Sequence, residues 1–192
     1  MRKIPTLYLR TEDRKGVINE VNPGCEWVLN GEGRATRKID GTCILIRREG
    51  NTVNVFARRE VKHGKTPPPN FEQVNYDEVT GKMIGWEPFE QSGFKMLILE
   101  ALDRYPDITS GTYELIGPKI NGNPEKAGAH FLVRHGEVTL WNLPRTFDEL
   151  RTYLLGHPEA EGIVWHHPDG RMVKLKRRDF ENTSISQTEV TE

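Results

Sequence analysis

Short runs of strand-forming residues recur along the chain. The first two cover residues 42–48 and 52–58 and flank Glu49-Gly50-Asn51, which is typical of a hairpin turn. Later runs have the same character, and the last two of them are joined by Pro168-Asp169-Gly170, a second turn sequence. These later runs are residues 113–117, 130–135, 162–166 and 172–176. The pattern predicts two hairpins and additional strands.

Two other segments have their apolar residues at helical spacing. The first helix is predicted to begin near Ser92. The second begins at Thr146, where Thr146 and Glu149 have capping-box spacing, and Gly156 ends it. Consecutive prolines predict a loop over residues 63–70. The apolar stripe of the first helix consists of Phe94, Leu97, Ile98, Ala101 and Leu102. Strands and helices together predict a mixed α+β fold.

The chain of 192 residues is long enough for one sizeable hydrophobic core. We predict a single domain over residues 1–180 and a polar, flexible tail over residues 181–192. Lys and Arg number 27 against 28 Asp and Glu, so net charge neither supports nor excludes a nucleic-acid partner. No run approaches the ~20 apolar residues of a membrane span, and the first residues lack a signal segment. We therefore expect a soluble, cytoplasmic protein without a membrane partner, in which Cys25 and Cys43 are reduced thiols.

The sharpest chemical feature is Lys38-Ile39-Asp40-Gly41-Thr42, where a lysine stands just before a strand and the glycine permits close backbone approach. Taken alone, a lysine at a strand edge is more often a solvated charge than a nucleophile.

A second feature is the hairpin formed by residues 162–166 and 172–176. Side chains alternate across a strand, so Lys174 and Lys176 share a face, and the turn brings Glu161 nearly opposite Lys176. A carboxylate with two ammonium groups suits a triphosphate and its metal ion. A solvated, salt-bridged hairpin is the alternative interpretation.

These features belong to four short motifs that occur in the order found in the covalent nucleotidyltransferase superfamily of ligases and capping enzymes. The segment Lys38-Ile39-Asp40-Gly41 resembles motif I, and Tyr113-Glu114-Leu115 resembles motif III. The segment Glu161-Gly162-Ile163-Val164 resembles motif IV, and the segment Lys174-Leu175-Lys176 resembles motif V. Within the superfamily the chain is most similar to the RNA ligase 1 family of 5′-3′ RNA ligases, whose K-x-D-G-T-C signature resembles residues 38–43. The resemblance spans nearly all of residues 36–180.

The resemblance implies an ATP-dependent RNA ligase that joins a 5′-phosphate to a 3′-hydroxyl through lysyl-AMP and AMP-RNA intermediates. Lys38 is then the nucleophile that attacks the α-phosphorus of ATP. Glu161 matches the carboxylate that binds Mg²⁺, with Mn²⁺ as a possible substitute, while Lys174 and Lys176 match lysines that contact the α-phosphate. A lysine amine must lose its proton to attack, and nearby cations favour its neutral form.

The resemblance also assigns residues to the nucleotide. Asp40 and Gly41 fall in the ATP-binding motif I, and Glu114 corresponds to the acid that hydrogen-bonds the AMP ribose. Phe131 is the candidate for the aromatic ring that covers adenine, and a place in the hydrophobic core is its alternative role.

The candidate RNA-binding residues are basic. Arg58 corresponds to an arginine that contacts the nucleotide or the RNA 5′-phosphate, and the adjacent Arg59 is the alternative. Arg177 and Arg178 extend the basic run after motif V and suit either an RNA path or a structural role. The expected partners are RNA ends, and no protein partner is indicated.

By the same resemblance, the fold is a nucleotidyltransferase domain whose antiparallel sheets form a cleft for ATP, with helices packed outside. Because 16 residues follow Lys176, we expect no C-terminal oligonucleotide-binding barrel. Three rival functions stay open: a GTP-dependent capping guanylyltransferase, a DNA ligase, and a non-catalytic nucleotide-binding or RNA-binding domain. The DNA ligase is less favoured because Thr42-Cys43 departs from the K-x-D-G-x-R pattern. His166-His167 has no partner at a recognised metal spacing, and we expect a solvated pair.

Overall fold

The computed structural model describes residues 4–181, and the chain divides into two units. The inserted unit is the continuous segment Ile39–Glu137, and the discontinuous unit combines Ile4–Lys38 with residues 138–181. Of the polar tail expected over residues 181–192, all but Glu181 lies outside the described residues.

Antiparallel strands dominate both units. In chain order the strands are β1 (Tyr8–Arg10), β2 (Val17–Val21), β3 (Arg34–Lys38), β4 (Thr42–Glu49), β5 (Thr52–Val61), β6 (Glu72–Asp77), β7 (Lys82–Pro88), β8 (Gly111–Ile116), β9 (Phe131–Arg134), β10 (Gly162–His166) and β11 (Met172–Lys176). The helices are α1 (Lys95–Leu102), α2 (Phe147–Gly156) and α3 (Arg178–Glu181). Single 3-10 turns occur at Glu26–Val28 and Phe89–Gln91.

The inserted unit is built on a six-stranded sheet with the order β6-β7-β5-β4-β8-β9. The β4–β5 hairpin pairs Glu49 with Thr52, which confirms the predicted turn; Gly50 adopts a φ of 59° there, a conformation that glycine reaches without strain. One face of the sheet carries buried residues such as Ile44 and Leu115, against which Ile98 of α1 packs. The predicted apolar stripe of this helix is therefore confirmed as a core surface.

The discontinuous unit contains a three-stranded sheet with the order β11-β10-β3 and a two-stranded ribbon of β1 and β2. Helix α2 packs on the hydrophobic core of this unit through Leu150 and Leu154, which are fully buried. The predicted start of α2 is confirmed, because the Thr146 hydroxyl oxygen accepts a hydrogen bond from the backbone N–H of Glu149 at 3.4 Å. The pairing of β10 with β11 confirms the second predicted hairpin.

The predicted runs do not include β1, β2, β3, β6 or β7, and β3 is the one of these that bears on the candidate site. Its sequence, Arg34-Ala35-Thr36-Arg37-Lys38, has little apolar character, yet it pairs along its whole length with β10. Lys38 therefore ends one strand as well as preceding β4. Residues 63–70 form turns and irregular backbone, as predicted.

The mixed α+β class with antiparallel sheets is confirmed. Within residues 4–181, no helix combines the length and the apolar character needed to cross a bilayer.

Candidate functional site

A charged cluster lies at one end of the three-stranded sheet in the discontinuous unit. Gly162, the first residue of β10, pairs with Lys38 of β3 on one side and with Lys176 of β11 on the other. The two lysines therefore flank the same position, and Glu161 immediately precedes it. A side chain at position 162 would place its Cβ 2.2 Å from the carbonyl oxygen of Leu175, so only glycine lets the strands approach this closely.

The Glu161 carboxylate holds both lysines, one on each oxygen. The Nζ atom of Lys38 donates to Oε2 at 2.5 Å, and the Nζ atom of Lys176 donates to Oε1. The exposed fractions of the side chains are 22% for Lys38, 16% for Glu161 and 13% for Lys176, so the cluster is largely shielded from water. Ion pairs in such a setting are screened less than pairs on the open surface.

The electrostatics of Glu161 reflect this pairing. Burial by itself raises the pKa of the carboxyl, but the charge of Lys38 and the hydrogen bonds from both lysines outweigh burial, and the net pKa lies below its ordinary value of 4.5. Glu161 is therefore a carboxylate at neutral pH and a weak proton acceptor.

A buried acid holds the backbone of Lys176 in place. Asp179 of α3 is 1% exposed, and its carboxylate accepts the backbone N–H of Lys176 at 2.9 Å. Arg10 of β1 donates to the other oxygen of Asp179 at 3.2 Å. This contact ties the end of β11 to α3 and β1.

Lys174 lies two residues before Lys176 on β11 and pairs with Val164 of β10. Its backbone N–H donates to the carbonyl of Pro5 at 3.0 Å, and its carbonyl accepts from Leu7 at 2.8 Å. The expected proximity of Glu161 and Lys176 is thus present, and Lys174 occupies the next position along the same face of the strand.

Asp40 and Gly41 of motif I lie at the start of the inserted unit, directly after Ile39. The side-chain amide of Asn121 donates to the Asp40 carboxylate at 3.1 Å and to the Gly41 carbonyl at 3.0 Å, and Glu125 accepts the backbone N–H of Asp40 at 3.0 Å. An added Cβ at Gly41 would lie 2.2 Å from the carbonyl oxygen of Leu115. The glycine is therefore required for the close approach of this segment to β8.

Glu114 of β8 is 8% exposed and pairs across strands with Cys43 of β4. Its Oε2 atom lies 2.6 Å from Nε2 of His135, whose Nδ1 lies 2.9 Å from the hydroxyl of Thr112. Sequence reasoning did not single out His135. The predicted strand over residues 130–135 ends on this histidine. The sequence does not show that β8, which carries Glu114, is the neighbouring strand.

The aromatic and arginine candidates of the inserted unit have partners within that unit. The guanidinium of Arg58 lies 5.9 Å from the ring centre of Trp86, and Arg104 lies 5.1 Å from that of Phe131. Arg59 forms an ion pair of 3.2 Å with the buried Glu87.

The two arginines after motif V differ from each other. Arg177 is engaged by an ion pair with Glu181, four residues later. Arg178 is exposed and is the first residue of α3. Of this pair, Arg178 is the one with its side chain in solvent.

The expectation of a solvated pair at His166-His167 is wrong. His166 Nε2 lies 2.9 Å from the Thr36 hydroxyl. His167 is 15% exposed, contacts carboxylate oxygens of Glu32 and Asp169, and packs edge-on against a tryptophan ring. The two histidines are bound to β3 and to the β10–β11 turn because β10 is the middle strand of its sheet.

The chain is similar in sequence to proteins named RNA ligase 1. The sequence model of the family described as RNA ligase 1 matches residues 95–183, which contain Glu114, Glu161, Lys174 and Lys176. A protein named RNA ligase 1 from Pongo abelii is 30% identical, over 74% of this chain and 65% of its own length. Proteins of the same name from Rattus norvegicus and Danio rerio are 26% and 23% identical, each over 74% of this chain and 66% of its own length. The chain thus spans just under two thirds of the length of these relatives.

Proposed function

We propose that this chain is a member of the RNA ligase 1 family, to whose sequence model and relatives it is similar, and that it is an ATP-dependent RNA ligase whose nucleophile is Lys38. The observation that carries the proposal is the cluster of Lys38, Glu161 and Lys176, because it joins a lysine to a carboxylate and a second cation in a largely shielded place. Each of these residues falls in one of the motifs that the family resemblance assigns.

In the first step, the Nζ atom of Lys38 attacks the α-phosphorus of ATP. A nitrogen–phosphorus bond forms, the bond to pyrophosphate breaks, and the amine gives up its proton to solvent water. Glu161 is not the base that takes this proton, because the depressed pKa of its carboxyl makes it a weak acceptor at neutral pH. Its role is to hold Lys38 in place before the nucleotide binds and to offer negative charge to a cation afterwards.

The donor set at Glu161 fits Mg²⁺. Carboxylate oxygens are the hard ligands that Mg²⁺ prefers, and this ion is often held by one or two carboxylates together with substrate phosphates. Both oxygens of Glu161 accept hydrogen bonds from lysines, so a cation held there would share the carboxylate with an ammonium group or displace it. When bound, Mg²⁺ neutralises phosphate charge and favours the neutral form of a neighbouring amine.

Lys176 and Lys174 are proposed to contact the α-phosphate. Once Lys176 is released from Glu161, its ammonium group becomes available to the negative charge that develops during phosphoryl transfer. Asp179 keeps the backbone of Lys176 in place during this exchange. AMP then passes from Lys38 to an RNA 5′-phosphate, and a 3′-hydroxyl displaces AMP to form the phosphodiester bond.

The remaining assignments are part of the same proposal. The nucleotide is bound with help from Asp40, Gly41, Arg58, Glu114 and Phe131. For RNA phosphates we favour Arg178, because its side chain is exposed, whereas Arg59 and Arg177 must first leave their ion pairs with glutamates.

Intact-protein mass spectrometry tests the first step. After incubation with ATP and Mg²⁺, we expect the wild type to gain the mass of one AMP and Lys38→Ala to gain none. Lys65→Ala, which removes an exposed lysine of the proline-rich loop, is the matched control and should behave as the wild type. Covalent AMP on Lys38→Ala would refute the nucleophile assignment.

Substrate tests separate the rival functions. Faster labelling by GTP than by ATP would favour a guanylyltransferase, and faster sealing of nicked DNA than of RNA would favour a DNA ligase. Labelling by neither nucleotide would favour a binding domain without catalysis.

A further inference from the structure

Three side chains of different chemistry converge on one face of the large sheet in the inserted unit. Cys43 of β4 lies directly opposite Glu114 of β8, and His135 follows β9, the next strand. The potential ligand atoms of these residues, a thiol sulfur, a carboxylate oxygen and an imidazole nitrogen, all lie within 4.8 Å of one another. Cys43 and Glu114 therefore lie on adjacent strands of one unit, and His135 directly follows the next strand.

This spacing is close to what a tetrahedral metal ion needs. Zn²⁺ binds nitrogen and oxygen at about 2.0–2.2 Å and thiolate sulfur at about 2.3 Å, which sets its ligand atoms about 3.3–3.7 Å apart. The 2.6 Å contact between Glu114 and His135 must widen by about 1 Å for both to bind one ion. The side chains of Glu114 and His135 are 11% and 26% exposed, so an ion can reach them from solvent.

The histidine is also oriented in the way a metal ligand requires. Nδ1 of His135 lies 2.9 Å from the Thr112 hydroxyl, and Nε2 lies 2.6 Å from Oε2 of Glu114. When Nδ1–H donates to Thr112, Nε2 carries the lone pair that binds a metal. The backbone supports the same placement, because the N–H of His135 donates to the carbonyl of Thr112 at 3.1 Å. Such a hydrogen bond to the far nitrogen is the usual support of a metal-bound imidazole.

We propose that Cys43, Glu114 and His135 form a binding site for a borderline-soft divalent cation, with Zn²⁺ as its principal occupant. The thiolate and the imidazole distinguish this site from one for Mg²⁺, which prefers oxygen ligands. Three protein ligands leave one coordination position for water or another ligand. The site is separate in its residues from the cation role proposed for Glu161.

The site has a consequence for nucleotide binding, and this consequence alone rests on the proposed function. Glu114 is the residue assigned to the AMP ribose, and a carboxylate that binds Zn²⁺ is not free to accept a hydrogen bond from a sugar hydroxyl in the same way. Micromolar Zn²⁺ should therefore slow lysyl-AMP formation, and ATP should compete with the ion.

Cobalt substitution tests the site without any nucleotide. We use the tag-free chain after dialysis against a chelator and titrate it with Co²⁺, whose bond to a thiolate gives an intense charge-transfer absorption. We expect this absorption in the wild type and in Cys25→Ser, which removes the buried cysteine of the other unit, and expect it to be absent in Cys43→Ser. Zn²⁺ added afterwards should displace Co²⁺ and abolish the absorption.

Thr112→Val tests the orientation of the imidazole. This near-isosteric change removes the hydroxyl beside Nδ1 and should weaken Zn²⁺ binding by about 10–100-fold, while circular dichroism shows an intact fold. No thiolate absorption in the folded wild type, or the same absorption in Cys43→Ser, would overturn the metal site. Because these readouts need no ATP, their failure is distinct from a failure of the ligase proposal.

Discussion

Replacing Glu161 by glutamine keeps the shape of the side chain and removes its charge. In the folded protein this leaves two ammonium groups, those of Lys38 and Lys176, beside a neutral amide. A hydrogen bond to a charged group contributes about 1.5–3 kcal/mol, and two of them share this carboxylate. The cluster is partly exposed and the amide oxygen still accepts one bond, so we expect a loss of about 3 kcal/mol, or a fall in Tm of about 6–12 °C.

The effect should depend on pH in a defined direction. The folded-state pKa of Glu161 lies below its ordinary value of 4.5, so the unfolded chain takes up the proton first as the pH falls. The stability that the charge contributes is complete above that ordinary value and is lost as the pH falls through the folded-state pKa. The difference in Tm between the wild type and Glu161→Gln should therefore narrow in acid.

Thermal unfolding followed by circular dichroism, from about pH 7 to about pH 3, measures this difference. Glu159→Gln is the matched control, because Glu159 is exposed and lies two residues earlier in the chain. Its Tm should stay close to that of the wild type throughout. A difference for Glu161→Gln that stays constant across this pH range would show that the ion pairs do not stabilise the fold.

Three further changes test the scaffold around the site, each by thermal or denaturant unfolding. Thr146→Ala removes the N-cap of α2 and should cost about 1 kcal/mol, whereas Thr146→Ser should cost little. Gly41→Ala sets a Cβ against the Leu115 carbonyl and should cost about 2 kcal/mol or more, and an unchanged Tm would contradict the close approach. Asp179→Asn weakens the support of Lys176 and should cost about 2 kcal/mol; a neutral result would mean that the buried carboxylate adds no stability.

The elements that the sequence predicts well are those with a local signal. The turn residues around Gly50 and the apolar stripe of α1 act within a few positions, and both are present as predicted. Strand β3 shows the opposite case. Its polar residues become a strand because β10 supplies hydrogen-bonding partners from far along the chain, and no local pattern encodes that pairing.

The candidate site divides in the same way. The contact between Glu161 and Lys176 could be predicted because one short turn determines how β10 pairs with β11. The contact of Lys38 with Glu161 was not predicted, because it depends on the distant β3–β10 pairing; the family resemblance assigned both residues to the ATP site without a contact between them. His135 was not predicted as a site residue. A single histidine at a strand end does not indicate a site until the neighbouring strand, which carries Glu114, is known.

The discontinuous unit has a consequence for how the protein is synthesised. A gap of 123 positions separates Lys38 from Glu161, and the inserted unit lies between them in the chain. At about 5–20 residues per second, a ribosome needs roughly 6–25 s to add that stretch. During this interval the inserted unit can fold, whereas β3 cannot yet form its hydrogen bonds with β10. Lys38 is therefore synthesised well before Glu161, the carboxylate that holds its ammonium group in the folded chain.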